Sequence, residues 1–371
     1  MVKASRMRKI PLLLRLGLLL GALAGNVAQA GNVIVGVHVN NIESMTEPEQ
    51  DALIALLRQH GVKTVRTGIG VTHFIIGAHR AGIGTLAGVP PTAASNAHGH
   101  RVGNAPDAPW VGPSLTDADP EKFKGWLAAA LAPLETAGVP LTAFELGNEI
   151  NLSGENGDLP VPPAGQAREL GLADLNNPND PGGRAVAASY RAYLRVMATL
   201  KDVRDHSAAN RRTPIITAGL SDTGPSGKQP SWKADSVSIP ATIEFMRKNG
   251  LDNLVDGYGV HFYPSNHDPD TPVGERIHGL EERALAPCTR AKPCWLTEWG
   301  FANPNLSCPV QDGVRLKLFR TEREAFKTFI NQGRLAAAIL YNWESKPGFE
   351  YPSVFRCGAL TEAGKLALGP M

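Results

Sequence analysis

The sequence is poor in several residue types. Aromatic residues make up 6% and charged residues 19% of its 371 positions. Only four cysteines occur, Cys288, Cys294, Cys308 and Cys357, all in the last quarter. A cysteine-dense scaffold held mainly by disulfides is therefore excluded. Their spacings match no common zinc pattern and no histidine falls among them, which argues against a zinc site. No glycine-rich phosphate fingerprint follows the first apolar run, so an open dinucleotide-binding sheet is not favoured. No Ser/Gly linker, charge block or repeat divides the chain. The Asp and Asn residues at 176–180 and 266–270 match no EF-hand loop and read as solvated turns.

Past the N-terminus, no apolar run is long enough to span a bilayer. The N-terminus itself reads as a secretory signal over residues 1–30. Lys3, Arg6, Arg8 and Lys9 precede an apolar stretch interrupted only by Arg15, and Ala28-Gln29-Ala30 supplies small residues for cleavage. Without the five basic residues of that leader, 32 basic and 35 acidic residues remain, a net charge of −3. No basic patch calls for nucleic acid, and no membrane contact is expected after cleavage. Export makes disulfides plausible, and the pairing Cys288–Cys294 with Cys308–Cys357 is favoured, because the first closes a short loop before a strand.

The rest of the chain, 31–371, reads as a single domain that acts as a monomer. Short apolar runs alternate with helical patterns, as βα units do. Strands are expected at 32–39, 62–68, 83–89, 141–146, 214–219, 255–263, 295–298 and 335–342. Helices are expected at 48–60, 72–82, 120–136, 185–200, 241–248, 275–284, 316–332 and 362–368. Thr46 and Glu49 form a capping box for the first, and Pro133 should kink or shorten the third. Long polar loops cover 151–183 and 221–239. Eight strands with intervening helices predict a (β/α)8 barrel, whose chemistry belongs at the C-terminal strand ends.

Polar residues gather at those ends: His38, Asn40 and Asn41 on the first strand, Arg66 on the second, and Asn148-Glu149 on the fourth. His261 and Tyr263 close the sixth, Glu298-Trp299 the seventh, and Asn342-Trp343-Glu344 the eighth. The segment Phe144-Glu145-Leu146-Gly147-Asn148-Glu149 resembles the fourth-strand motif of clan A retaining glycosidases. Trp295-Leu296-Thr297-Glu298-Trp299-Gly300 resembles that clan's seventh-strand motif. The fourth-strand segment is similar to xylosidase-, arabinofuranosidase- and heparanase-like members. Arg66 and His261-Phe262-Tyr263 resemble cellulase-like members, although the third strand lacks their His pair.

The resemblance implies retaining hydrolysis of a glycosidic bond, with a β-linked polysaccharide or oligosaccharide as substrate and no cofactor or metal. Glu149 is then the acid/base and Glu298 the nucleophile. Such a reaction needs two carboxyl groups about 5 to 5.5 Å apart. Arg66 is expected to keep Glu298 ionised and Tyr263 to donate a hydrogen bond to it. Glu145 is expected to be structural, paired with Arg66 or another barrel cation. Asn148 is expected to bind the sugar's 2-hydroxyl, and His261, His38 and Asn40 to contact substrate. Trp343 is expected as an apolar floor under the sugar ring, with Trp299 and Trp232 as outer subsites. A non-catalytic carbohydrate-binding barrel is the main rival reading. A metal-dependent hydrolase is the other, weakened because the one His-x-His pair, His98 and His100, falls in a loop.

Overall fold

Eight runs of mostly aliphatic residues form eight strands in the computed structural model: β1 (Ile34–His38), β2 (Thr64–Gly68), β3 (Gly84–Val89), β4 (Ala143–Asn148), β5 (Ile215–Gly219), β6 (Tyr258–Phe262), β7 (Cys294–Trp299) and β8 (Leu335–Leu340). The structure describes residues 33–95, 98–103, 109–163, 165–222, 234–263, 272–345 and 350–371. The expected signal segment, Trp232 and the turn at 266–270 lie outside these residues. The strands are parallel and run in the order β6-β7-β8-β1-β2-β3-β4-β5. Parallel bridges from Ile216 to Gly257 and from Leu220 to Val260 join β5 to β6 and close the ring. The fold is the (β/α)8 barrel expected.

Strand alternation divides the apolar residues into two layers. Leu86, Ala143, Ile216, Trp295, Ala337 and Ile339 cluster together, separate from the larger core that includes Phe144 and Leu146. The smaller cluster plugs the lumen, as in a packed barrel rather than a pore. On β4, Ala143 belongs to the lumen and Phe144 to the outer layer. Glu145 therefore faces inward, fully buried.

Helices α1 (Glu47–Gln59), α2 (Thr72–Arg80), α3 (Pro120–Thr136), α4 (Pro181–Asp205), α5 (Ile239–Lys248), α6 (Val273–Gly279), α7 (Gly313–Asn331) and α8 (Glu362–Leu368) alternate with the strands. The expected capping box starts α1: the Thr46 N–H donates to Glu49 at 2.7 Å. Pro133 does not shorten α3, which continues to Thr136. Its missing N–H falls in the last turn, where one lost bond to Ala129 costs little continuity. Helix α4 begins before residue 185, because Asp180 caps it by accepting from Gly183 at 3.0 Å and Pro181 suits its first turn.

The stretch 151–183 is not one irregular loop. Glu169–Leu170 pairs in parallel with Ser236–Val237, and Leu172–Leu175 is a helical turn. Two small hairpins were not foreseen, His100–Arg101 with Trp110–Val111 and Phe355–Arg356 with Ala359–Leu360. The helix expected at 275–284 ends at Gly279 and continues as a π-turn over Leu280–Ala284. The cysteines pair as Cys288–Cys294 and Cys308–Cys357, as expected. Among the described residues no helix is long and apolar enough to cross a membrane.

Candidate active site

Residues from β1, β2, β3, β4, β7 and β8 and their following loops enclose a cleft of about 470 Å³ at the C-terminal end of the barrel. His38, Arg66, Asn148, Glu149, Glu298 and Tyr341 all line it. Arg66 is its hub. The guanidinium donates from Nε to Glu145 at 2.5 Å, from Nη1 to Glu298 at 2.6 Å, and from Nη2 to Asn148 at 2.9 Å. Nη1 also lies 3.2 Å from Nδ1 of His38. Glu145 and Arg66 therefore form a buried pair in the lumen, as expected for Glu145.

A register shift between Val260 and His261 sets His261 opposite Glu298. Its ring then reaches Glu149, with Nδ1 2.8 Å from Oε1. Space for that ring comes from Gly219 at the end of β5. A Cβ there would lie 2.0 Å from Nε2 of His261. Glu149 itself sits at φ 38°, a left-handed conformation uncommon for a non-glycine residue. Its N–H donates to Gly219 at 2.8 Å, which fixes this sharp exit from β4. Oxygens of Glu149 and Glu298 and a nitrogen of His261 all lie within 4.8 Å of one another. Among the described residues, these three atoms form a group that could hold a cation.

The electrostatics separate the groups. Burial opposes ionisation of Glu298, but His261 and Arg66 overcome it, helped by His38, and hold its carboxyl well below the usual range. Burial lowers the His261 pKa, yet Glu298 and Glu149 outweigh it and the net shift is upward. His38 moves the other way, through burial and the Arg66 charge, which outweigh its contact with Glu298. The Tyr263 hydroxyl donates to Oε2 of Glu298 while its ring stays exposed at the rim. Burial of that hydroxyl and the Glu298 charge push it well above the ordinary phenol value.

His261, expected to contact substrate, is fully buried and reaches the cleft only through Glu149 and Glu298, and two further expected residues are elsewhere. Trp343 is 1% exposed and stacks on Phe355 with centroids 5.0 Å apart, so it forms no floor in the cleft. Trp299 is equally buried, against Phe319 and Phe326 in the outer core. Trp232 lies outside the described residues. Asn40, expected to contact substrate, is not among the residues that line the cleft.

Two cleft residues were missed. Tyr341 packs edge-on to His38 at 5.2 Å and to Tyr263 at 6.1 Å. It immediately follows the last residue of β8, which is the signal that could have found it. Glu155 lines the cleft and accepts from Nδ2 of Asn148 at 3.3 Å. Although solvent reaches it, crowding by protein pushes its carboxyl up to about 7, against the Asn148 hydrogen bond and with the charges of Glu149 and Glu298. Nothing in the sequence around Glu155 marked it out.

Fold and cleft together define a (β/α)8 barrel with carboxyl groups converging from β4 and β7. No protein-family model and no curated relative matches the sequence. The backbone is similar to those of fungal β-1,4-galactanases, with TM-score 0.50 and 16% identity, over 90% of this chain and 93% of that one. It is similar to a GH42 β-galactosidase from G. stearothermophilus, with TM-score 0.57 and 11% identity, covering 92% of this chain and 56% of that one. It is also similar to a β-glucosidase from Thermotoga maritima, with TM-score 0.51 and 11% identity, over 90% and 96%. These neighbours are clan A glycosidases, and the likeness is one of fold.

Proposed function

We propose that this protein is a retaining glycoside hydrolase acting on a β-linked oligosaccharide or polysaccharide, with residues 31–371 as its single catalytic domain. One observation carries the reading: carboxyl oxygens of Glu149 and Glu298, from β4 and β7, lie within 4.8 Å of each other. Retaining enzymes place such groups about 5–5.5 Å apart, whereas inverting ones leave room for a water at roughly 6.5–9.5 Å. The names of the fold neighbours, among them a galactanase, a galactosidase, a glucosidase and a glucuronidase, favour a β-linked sugar. The two disulfides and the leader-like N-terminus support export.

Glu298, held ionised by Arg66 and His261, attacks the anomeric carbon as the glycosidic bond breaks. Glu149 gives its proton to the leaving oxygen. The glycosyl ester removes the charge from Glu298, and Glu149 then takes a proton from the incoming water. That water attacks the anomeric carbon and releases Glu298. Tyr263 and Arg66 hold one nucleophile oxygen each. Tyr341 offers an aromatic face to the sugar in place of the buried Trp343.

Glu298→Ala tests the assignment on 2,4-dinitrophenyl β-glycosides. Turnover is expected to disappear and to return with azide, giving a glycosyl azide of inverted configuration. Unchanged turnover in this variant would sink the reading.

A further inference from the structure

We propose that Glu155 is a positioning residue of this site: it holds the side-chain amide of Asn148 so that one N–H faces the 2-hydroxyl of the sugar being transferred. The inference rests on the glycosidase reading of Glu149 and Glu298 and assigns a third carboxyl to the same cleft. Asn148 is the last residue of β4 and lines the cleft. Its amide is pinned at both ends. Oδ1 accepts from Arg66 at 2.9 Å, and Nδ2 donates to Glu155 at 3.3 Å. An amide held this way cannot exchange its oxygen and nitrogen without losing both bonds. The second N–H meets no acceptor among the described residues, which leaves it for a ligand.

Glu155 is brought back to Asn148 by a tightly wound loop. The Leu152 N–H donates to Glu149 at 2.8 Å, and the Glu155 and Asn156 N–H groups donate to Leu152 at 3.2 and 3.1 Å. Buried Asn156 ties the loop to Ile150 at 3.0 Å. On the other side the Gly112 N–H donates to Ser153 at 2.7 Å. A Cβ on Gly112 would come within 2.6 Å of the Gly154 oxygen and 2.9 Å of the Glu155 Cα. These contacts hold the loop where the Glu155 carboxyl lies beside Asn148. A carboxyl titrating near neutrality adds a readout, because ionised Glu155 is the stronger acceptor.

Two measurements test this. The first needs no substrate. In protein labelled with 15N-asparagine, the Asn148 side-chain signal, assigned with Asn148→Ala, is expected to titrate with a midpoint of about 7. Glu155→Gln should remove that titration while the signal persists. An Asn148 signal that does not respond to Glu155→Gln overturns the proposal. The second compares 2,4-dinitrophenyl β-D-galactoside and β-D-glucoside with their 2-deoxy counterparts. Glu155→Ala is expected to lower kcat/KM about tenfold on the 2-hydroxy glycosides and less than about twofold on the 2-deoxy ones. Glu155→Gln, which keeps an acceptor, should recover most of the loss. Equal losses on both substrate types mean a structural role and overturn the proposal. Failure of the glycosidase reading shows separately, as full turnover by Glu298→Ala, and leaves the Asn148 titration intact.

Discussion

Nη1 of Arg66 sits 2.6 Å from Oε1 of Glu298 while Nε of the same guanidinium sits 2.5 Å from Glu145. One planar cation thus joins a carboxylate sealed in the lumen to the carboxylate facing the cleft. A lysine, with a single compact charge, cannot serve both directions. Arg66→Lys is therefore expected to lower kcat/KM by roughly 10²–10³-fold. The pH profile should shift in a definite sense. Glu298 must be ionised to attack, and its folded-state pKa is depressed, with Arg66 among the causes. Weakening that contact raises it, so the acidic limb of kcat/KM should move up by about one pH unit. An unmoved acidic limb would show that His261 and His38 keep Glu298 ionised without the Arg66 contact.

Tyr263 donates its hydroxyl to the other oxygen of Glu298 from a ring that is exposed at the rim. Little core packing depends on that ring. Tyr263→Phe should therefore leave the melting temperature within about 1 °C and reduce kcat by roughly 10–10²-fold. Steady-state kinetics and a thermal melt on the same sample check both halves. A large drop in melting temperature would mean the hydroxyl is structural.

The barrel was legible because strand alternation, helix caps and turn glycines are local signals, and the residues of β4 and β7 carry a specific pattern as well. Arg66, His38, Asn148 and His261 were legible as polar residues closing apolar strands. Side-chain direction beyond a strand end was not. The eighth strand was expected to reach residue 342 but ends at Leu340. Past that point alternation no longer says which side chain faces the cleft, and Tyr341 rather than Trp343 lines it. Glu155 was missed for a related reason: its place depends on contacts with Gly112, far away in sequence.

The exchange of roles between these two aromatics can be measured. Tyr341→Ala should raise KM or lower kcat with a small loss of stability, because this ring lines the cleft. Trp343→Ala should instead destabilise the protein by about 3–5 kcal/mol, since it empties a buried site against Phe355. Denaturant unfolding of both variants, alongside kinetics, separates them. A Trp343→Ala protein of unaltered stability but weakened substrate affinity would restore Trp343 to the cleft.

Glu322 on α7 supplies a stability test far from the cleft. It is 1% exposed, and neither carboxyl oxygen has a hydrogen-bond partner among the described residues. Burial pushes its carboxyl up to about 7, and the Arg276 charge only partly opposes this. The folded protein therefore holds a proton here that the unfolded chain releases at about 4.3. Stability is greatest below the unfolded value, falls as pH rises between the two, and levels off once Glu322 is ionised in both states. Glu322→Gln stays neutral throughout and escapes that loss. Its melting temperature relative to the parent should be several degrees more favourable at pH 8 than at pH 5, for a linkage on the order of 2 kcal/mol. If the difference is the same at both pH values, Glu322 is ionised across the whole range and Arg276 is the reason.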